Sequence, residues 1–239
     1  MGRYLLRILS PLVILLTACA SSNKGEPKLL SLLGGDSQTT EATEGGVEKN
    51  YDALTLLRRG EQFYDKEDYA EAVGEYQRFL DLHPFHRLSP YVHYKLGMAF
   101  YHQIDTIDRD QEPVEKSLAA FQKLQSDFPR SLFSEQAQAK IADLKNRLAR
   151  RELYIGRFYY KKGAYLSAIP RLQKAVEQGE SPSLKAEALY YAAASQLEEG
   201  NRDEAARLLG QVLEVDPAGP FRRDAIRLQD QLHRSPSHS

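Results

Sequence analysis

Cys19 is the only cysteine in the 239 residues, so the chain has no second thiol with which to close a disulfide of its own. It ends the stretch Leu16-Thr17-Ala18-Cys19, behind an apolar run from Ile8 to Leu16 and the charges of Arg3 and Arg7. Small residues ahead of Cys19 leave the peptide bond open to a signal peptidase. The thiol is a nucleophile that can take a diacylglycerol through a thioether. The apolar run falls far short of the roughly 20 residues a helix needs to cross a bilayer, which makes it an export signal and not a span. Residues 1–18 therefore read as a signal peptide and Cys19 as the lipidated first residue of the mature chain. Two or more acyl chains give a stable anchor, because each buried methylene contributes about 0.8 kcal/mol.

The remaining candidates for chemistry are weaker. His83 and His86 flank Pro84 and could share a metal, but no cysteine or third ligand stands near them in sequence, and solvated turn histidines are the simpler reading. Asp105, Asp108, Asp110 and Glu112 have the look of a calcium loop; yet Pro113 occupies the place of the turn glycine and the bidentate glutamate is missing, so a polar loop is expected. No P-loop, no Gly-x-Ser-x-Gly elbow and no His-Glu-x-x-His occurs. The expectation is a protein that is not an enzyme and holds no metal and no cofactor. Lys140, Lys145, Arg147, Arg150, Arg151, Arg157, Lys161 and Lys162 form a basic stretch with Tyr154 and Tyr159 interleaved. In an exported chain this points away from nucleic acid; an acidic protein partner, anionic headgroups or a merely solvated face remain open. The net charge of -1 argues against binding of a polyanion by the whole chain.

Residues 20–50 are rich in Ser, Asn, Gly, Thr, Glu and Gln, including Gly34-Gly35-Asp36 and Gly45-Gly46, and cannot bury enough apolar surface to offset the entropy of ordering. With Cys19 they read as a flexible tether over 19–50, about 30 Å in root-mean-square reach. From Tyr51 the composition changes and a spacing recurs. Gly60 is followed by Ala72, Tyr76, Phe79 and Pro84. Ala193, Ala205, Leu209, Val212 and Pro217 repeat it; Gly156, Ala168, Leu172 and Ala175 do so with Glu180 in place of the proline. Gly97, Ser117, Phe121, Leu124 and Pro129 form a fourth copy with eight extra residues inside. Small residues at the Gly60 and Ala72 positions let two helices approach closely, Tyr76 and Phe79 fill the groove a turn apart, and proline stops the second helix.

Local signals fit this frame. Ser89-Pro90 and Ser181-Pro182 read as an N-cap before a proline at the first helical position, and Gly200-Asn201 with Glu204 reads as a helix stop and a capped start. Only one glycine and no proline lie between Ser131 and Tyr160, which predicts a long helix with an apolar stripe of Leu144, Leu148, Tyr154, Ile155, Phe158 and Tyr159. An amphipathic helix over about Phe221–Leu232 would cap the stack. No segment shows the alternation of a strand. The expected fold is all-α: a right-handed tetratricopeptide-like solenoid over 51–233 of about four repeats plus a C-terminal capping helix, with 234–239 a disordered tail.

Several stretches go beyond the generic repeat. These are Tyr94-Lys95-Leu96-Gly97 with Tyr101 and the insert at Arg109-Asp110, and Ala120-Phe121-Gln122-Lys123-Leu124 leading to Phe128-Pro129-Arg130-Ser131. The longest runs from Leu144-Lys145 and Arg147-Leu148-Ala149, through Glu152-Leu153-Tyr154 and Gly156-Arg157-Phe158-Tyr159-Tyr160, to Gly163-Ala164-Tyr165, Ala168-Ile169 and Arg171. Together they resemble the BamD family, the tetratricopeptide lipoproteins of the machinery that inserts β-barrels into the outer membrane. The resemblance covers Cys19 to about Val215, although the family usually carries five repeats where this sequence shows four. It implies a lipid-anchored scaffold on the periplasmic face of the outer membrane that binds a POTRA domain of BamA and receives unfolded outer-membrane proteins. Ala20 and Ser21, in place of the Asp usual in inner-membrane retention, agree with that location by similarity to other lipoproteins. The resemblance further implies BamA contacts at Arg171, Lys162 and Arg157; taken without it, Arg171 reads as a solvated arginine. A pilotin-like cell-envelope lipoprotein that chaperones secretin or pilus components is the alternative, and an exported enzyme using a groove carboxylate is the third.

Overall fold

The structure, a computed structural model, describes residues 51–105 and 111–234. The expected signal peptide, Cys19, the tether, Asp108, Asp110 and residues 235–239 lie outside them. Within the described residues the chain forms helical hairpins: α1 (Ala53–Asp65) with α2 (Tyr69–Leu82), α3 (Ser89–His102) with α4 (Glu112–Asp127), α5 (Ser134–Lys161) with α6 (Tyr165–Gln178), and α7 (Pro182–Glu198) with α8 (Arg202–Val215). A last helix, α9 (Arg222–Arg234), packs on α8. Each helix packs on the next in sequence, which is the architecture of a tetratricopeptide-like solenoid.

The recurring spacing is the contact that closes each hairpin. A Cβ added to Gly60 would lie 2.5 Å from the Tyr76 ring, one on Gly97 2.6 Å from Phe121, and one on Gly156 2.6 Å from Leu172. The second helix thus lies directly on backbone. Tyr76, Phe121, Leu172 and Leu209 are fully buried, as are Ala72, Ala168 and Ala205 at the matching small positions. Ser117, the fourth member of that set, is buried too and donates its hydroxyl to the Gly97 carbonyl at 2.9 Å. The Tyr76 hydroxyl donates to Glu61 at 2.5 Å, and burial beside that carboxylate pushes the phenol far above its usual range, so it stays a donor. Seven residues after Gly60, Gly156 and Ala193 the chain turns through positive φ, at Glu67, Gly163 and Gly200.

The turns between hairpins depart from the expected caps. Leu88, not Ser89, precedes α3, and Ser89 donates instead to the His83 carbonyl at 3.0 Å; Ser134 does the same to Phe128 at 2.9 Å. Both hydroxyls thereby close the turn across which the proline stops the helix. Ser181 does precede α7 without a side-chain cap. Asn201 bonds Gln196 at 2.8 Å, and Glu204 pairs with Arg207 at 2.5 Å, so no capping box forms. Where the third repeat lacks its proline, Asn146 of α5 accepts from the amides of Glu180 and Ser181 at 2.8 and 2.9 Å, and Lys145 pairs with Glu180 at 2.6 Å. Those bonds end α6 in the proline's stead.

The long helix is present, but its buried stripe differs from the expected one. The face turned inward carries Ala137, Ile141, Leu144, Leu148, Ala149, Glu152, Leu153 and Gly156. Tyr154 lies two residues from Glu152, about 200° around the helix, and is exposed, as is Phe158. A carboxylate, Glu152, takes a core position that the expected stripe left out.

Gly97→Ala is expected to destabilise by about 1–3 kcal/mol, since Phe121 has no room to yield. Gly74→Ala, with nothing within 4 Å of the added Cβ, is expected to gain about 0.5–1 kcal/mol from lost helix-glycine entropy. Urea unfolding of the two variants measures the contrast.

A candidate protein-docking edge on the third hairpin

Exposed apolar side chains are informative where several lie together on one surface, not where they are scattered singly. On α5, Arg150, Tyr154, Phe158 and Lys162 follow one another at four-residue intervals and are all exposed, which draws one line along the helix. Tyr154 is 61% exposed and Phe158 51%; Leu166, in the first turn of α6, is 71% exposed. The Lys162 ammonium lies 5.9 Å from the Phe158 ring centroid.

On the opposite side of α5 sits a charge cluster. Glu152 is buried between the helices, with Arg171 at 3.0 Å and Lys174 at 2.9 Å from α6, and Arg151 at 4.0 Å from its own helix. Burial pushes the Glu152 carboxyl up, but the hydrogen bonds from Lys174 and Arg171 outweigh it and hold the group below the ordinary carboxylate range. Arg171 gives one nitrogen to Glu152 and keeps 44% of its side chain exposed. Its guanidinium is held in place with donors to spare. Pro170, one residue earlier, has no amide to give the Leu166 carbonyl, so that acceptor is left without its helical partner beside the exposed Leu166 side chain.

The three cations expected to bind a partner do not form one cluster. Arg171 lies over Glu152; Lys162 ends the exposed line as the residue capping α5. Arg157 is about 140° around α5 from Glu152, pairs with Glu187 of α7 at 2.6 Å and lies 5.1 Å from the Tyr191 ring centroid. It pins the third hairpin to the fourth. Much of the basic stretch is likewise matched within the chain: Lys145 with Glu180, Arg147 with Asp143 at 2.9 Å, and Lys140 over the Tyr101 ring at 3.9 Å.

Sequence reasoning missed Glu152, Lys174, Pro170 and Leu166. Glu152 was detectable, as an acid in phase with Leu148, Ala149 and Gly156. The histidines singled out for a metal are occupied otherwise. The His83 Nε2 lies 2.8 Å from the Tyr51 carbonyl oxygen, the His86 Nδ1 accepts from the Leu88 amide at 3.2 Å, and both rings stand edge-on to Phe79. Glu112, from the acidic insert, pairs with Lys116 at 2.6 Å.

Helical hairpins stacked each on the next define the class of tetratricopeptide-like solenoids. The model of the family described as YfiO, outer membrane lipoprotein, matches residues 61–207. The chain belongs to this family, the BamD family that its motifs resemble. It is 33% identical over 175 residues to the outer membrane protein assembly factor BamD of Caulobacter vibrioides, covering 73% of this chain and 57% of that one. To the protein of the same name from Vibrio cholerae it is 36% identical over 122 residues, 47% of this chain and 51% of the other. For Rickettsia prowazekii the identity is 31% over 137 residues, covering 57% and 55%. The chain thus spans a little over half the length of these relatives. A solved tetratricopeptide-repeat protein from Bacteroides fragilis superposes with a TM-score of 0.42 at 15% identity, over 79% of this chain and 85% of that one. Among the described residues no helix is long and apolar enough to cross a membrane.

The folded pKa of Glu152 is depressed, so its ion pairs add stability above the unfolded value near 4.3 and lose it as pH falls through the folded value. Glu152→Gln is expected to cost about 1–3 kcal/mol at pH 7 and to flatten the loss of stability below about pH 4. Thermal melts of both proteins from pH 7 to pH 3 check this; parallel curves would contradict it.

Proposed function

We propose that the chain is a non-catalytic lipoprotein scaffold in the assembly of β-barrel proteins into the outer membrane. The observation that carries this reading is the chain's membership of a family whose relatives bear the name of outer membrane protein assembly factors. The edge on the third hairpin gives that role a physical means. Tyr154, Phe158 and Leu166 supply apolar anchors, and aromatic residues ringed by charge are the usual centres of binding energy. Arg171, oriented by Glu152, offers its remaining donors to a carboxylate of the partner in a fork geometry. Lys162 and Arg150 flank the aromatic pair, and Arg157 keeps the edge in register with the fourth hairpin.

The partner proposed for this edge is a POTRA domain of a BamA-like β-barrel assembly protein. Incoming unfolded outer-membrane proteins are the proposed cargo, and acylated Cys19 the proposed attachment to the periplasmic face of the outer membrane. In this reading the chain performs no reaction: it holds polypeptides near one another, and the solenoid supplies rigidity.

The test is purification of the tagged, acylated chain from crosslinked cells, with the recovered proteins identified by mass spectrometry. A BamA-like protein is expected with the parent chain. Tyr154→Ala with Phe158→Ala is expected to reduce its recovery roughly tenfold or more, while lowering the melting temperature by only a few degrees because both rings are more than half exposed. Arg171→Ala is expected to weaken recovery as well. Recovery of a secretin in place of a β-barrel assembly protein would replace this reading with that of a pilotin-like chaperone.

A further inference from the structure

A second exposed apolar surface lies away from the docking edge. Helices that alternate in direction bring the start of α1, the end of α2, the start of α3, the end of α4 and the start of α5 to one end of the hairpins. At that end Phe85 is 97% exposed, Leu132 is also well exposed, and Tyr51, Leu54 and Leu82 are about half exposed. The bond between the His83 ring and the Tyr51 carbonyl ties the entry of the chain to the turn that carries Phe85. Arg87 and Arg130 are exposed in the same turns.

The fold does not need a ring at Phe85. The residues after the matching turn prolines, Pro129 and Pro217, are Arg130 and Ala218. The apolar side chain that anchors each turn sits four residues after the proline: Leu88 and Phe133 are buried there, and Phe221 packs against Tyr190. Phe85 instead points an aromatic ring into solvent from a turn whose packing is already complete.

What covers this end follows from where the preceding chain joins it. The described residues begin here, at Tyr51, 32 residues after Cys19. We propose that this end, led by Phe85, rests in the lipid–water interface of the membrane that holds the acylated chain, with Phe85 and Leu132 immersed and Arg87 and Arg130 among the headgroups; this rests on the anchoring proposed above. Phe and Leu side chains gain from burial at the boundary of headgroups and acyl chains, and arginine places its charge at headgroup level while its stem stays apolar. A few side chains would bind a membrane only weakly from solution. With the proposed anchor only 32 residues away along the chain, the contact becomes an intramolecular one at high effective concentration, so weak affinity suffices. The turn between α5 and α6, with Leu166, belongs to the opposite end of the hairpins and is left facing the periplasm for a protein partner.

The chain has no tryptophan, so one introduced indole reports alone. The acylated full mature chain carrying Phe85→Trp, or separately Leu166→Trp, is reconstituted into phosphatidylcholine vesicles with brominated acyl chains. Flotation of the protein with the vesicles reports the anchor. Emission from position 85 is expected to shift to the blue and to be quenched, and emission from position 166 to match that in water and remain unquenched. Protein that floats while the indole at 85 stays unquenched, or is quenched no more than the one at 166, overturns the docking and leaves the anchor standing. Protein that does not float overturns both. Because both positions are exposed, circular dichroism of the two variants is expected to match the parent.

Discussion

A missing Cβ on one helix and a bulky side chain on the next set the distance on which this structure depends. At Gly60, Gly97 and Gly156 the partner helix rests Tyr76, Phe121 or Leu172 on bare backbone, closer than any side chain at those positions would permit. Close approach puts Ala72, Ser117 and Ala168 in full contact, and Ser117 adds a hydrogen bond to the Gly97 carbonyl. A hairpin packed this way is a stiff unit with apolar flanks, and it buries them only by stacking on the next. Tyr91 and Tyr94 on Phe133, and Tyr190 on Phe221, are those stacking contacts.

The same economy shapes the third hairpin. Its long helix has two jobs, and the phase of Glu152 keeps them apart. By taking a core position, the carboxylate draws Arg171 and Lys174 down from α6 and turns Tyr154 to the opposite side. One residue therefore fixes an arginine in a defined orientation while the aromatic line on the other face stays uncovered. The pair stabilises the hairpin through the buried Glu152 carboxylate, and it also sets the direction of the Arg171 side chain. In the docking proposed above its value lies in geometry: Arg171 would meet a partner already oriented, so less freedom would be lost on binding. Arg157, engaged by Glu187 and Tyr191, does the equivalent for the joint with the fourth hairpin.

The repeat frame was legible in the sequence because its constraint is local and steric. Small residues where helices touch, large ones where they fill, and proline where a helix must stop can all be read from spacing, and the helix bounds follow within a few residues. Polar detail was less legible. Ser89 and Ser134 close turns through carbonyls six residues back, and Asn146 replaces a proline from 34 residues away; neither pairing leaves a trace in local pattern. The long helix misled for a related reason: a period of 3.6 fits both Tyr154 with Phe158 and Leu144 with Leu148, and hydropathy alone chose both. Only the partners of Glu152, contributed by α6, decide which face is core. The three cations proposed for docking were named from family resemblance, and the structure separates them into one oriented by Glu152, one ending an exposed line and one joining two hairpins.

Coupling between Gly97 and Phe121 tests the central claim most directly. In a double-mutant cycle of Gly97→Ala and Phe121→Leu followed by urea unfolding, the account predicts that the alanine costs markedly less once the smaller leucine faces it, with a coupling of about 0.5–3 kcal/mol. Costs that simply add would show that the ring does not rest on the glycine backbone, and would contradict the packing on which the hairpins, their stack and both exposed surfaces are built.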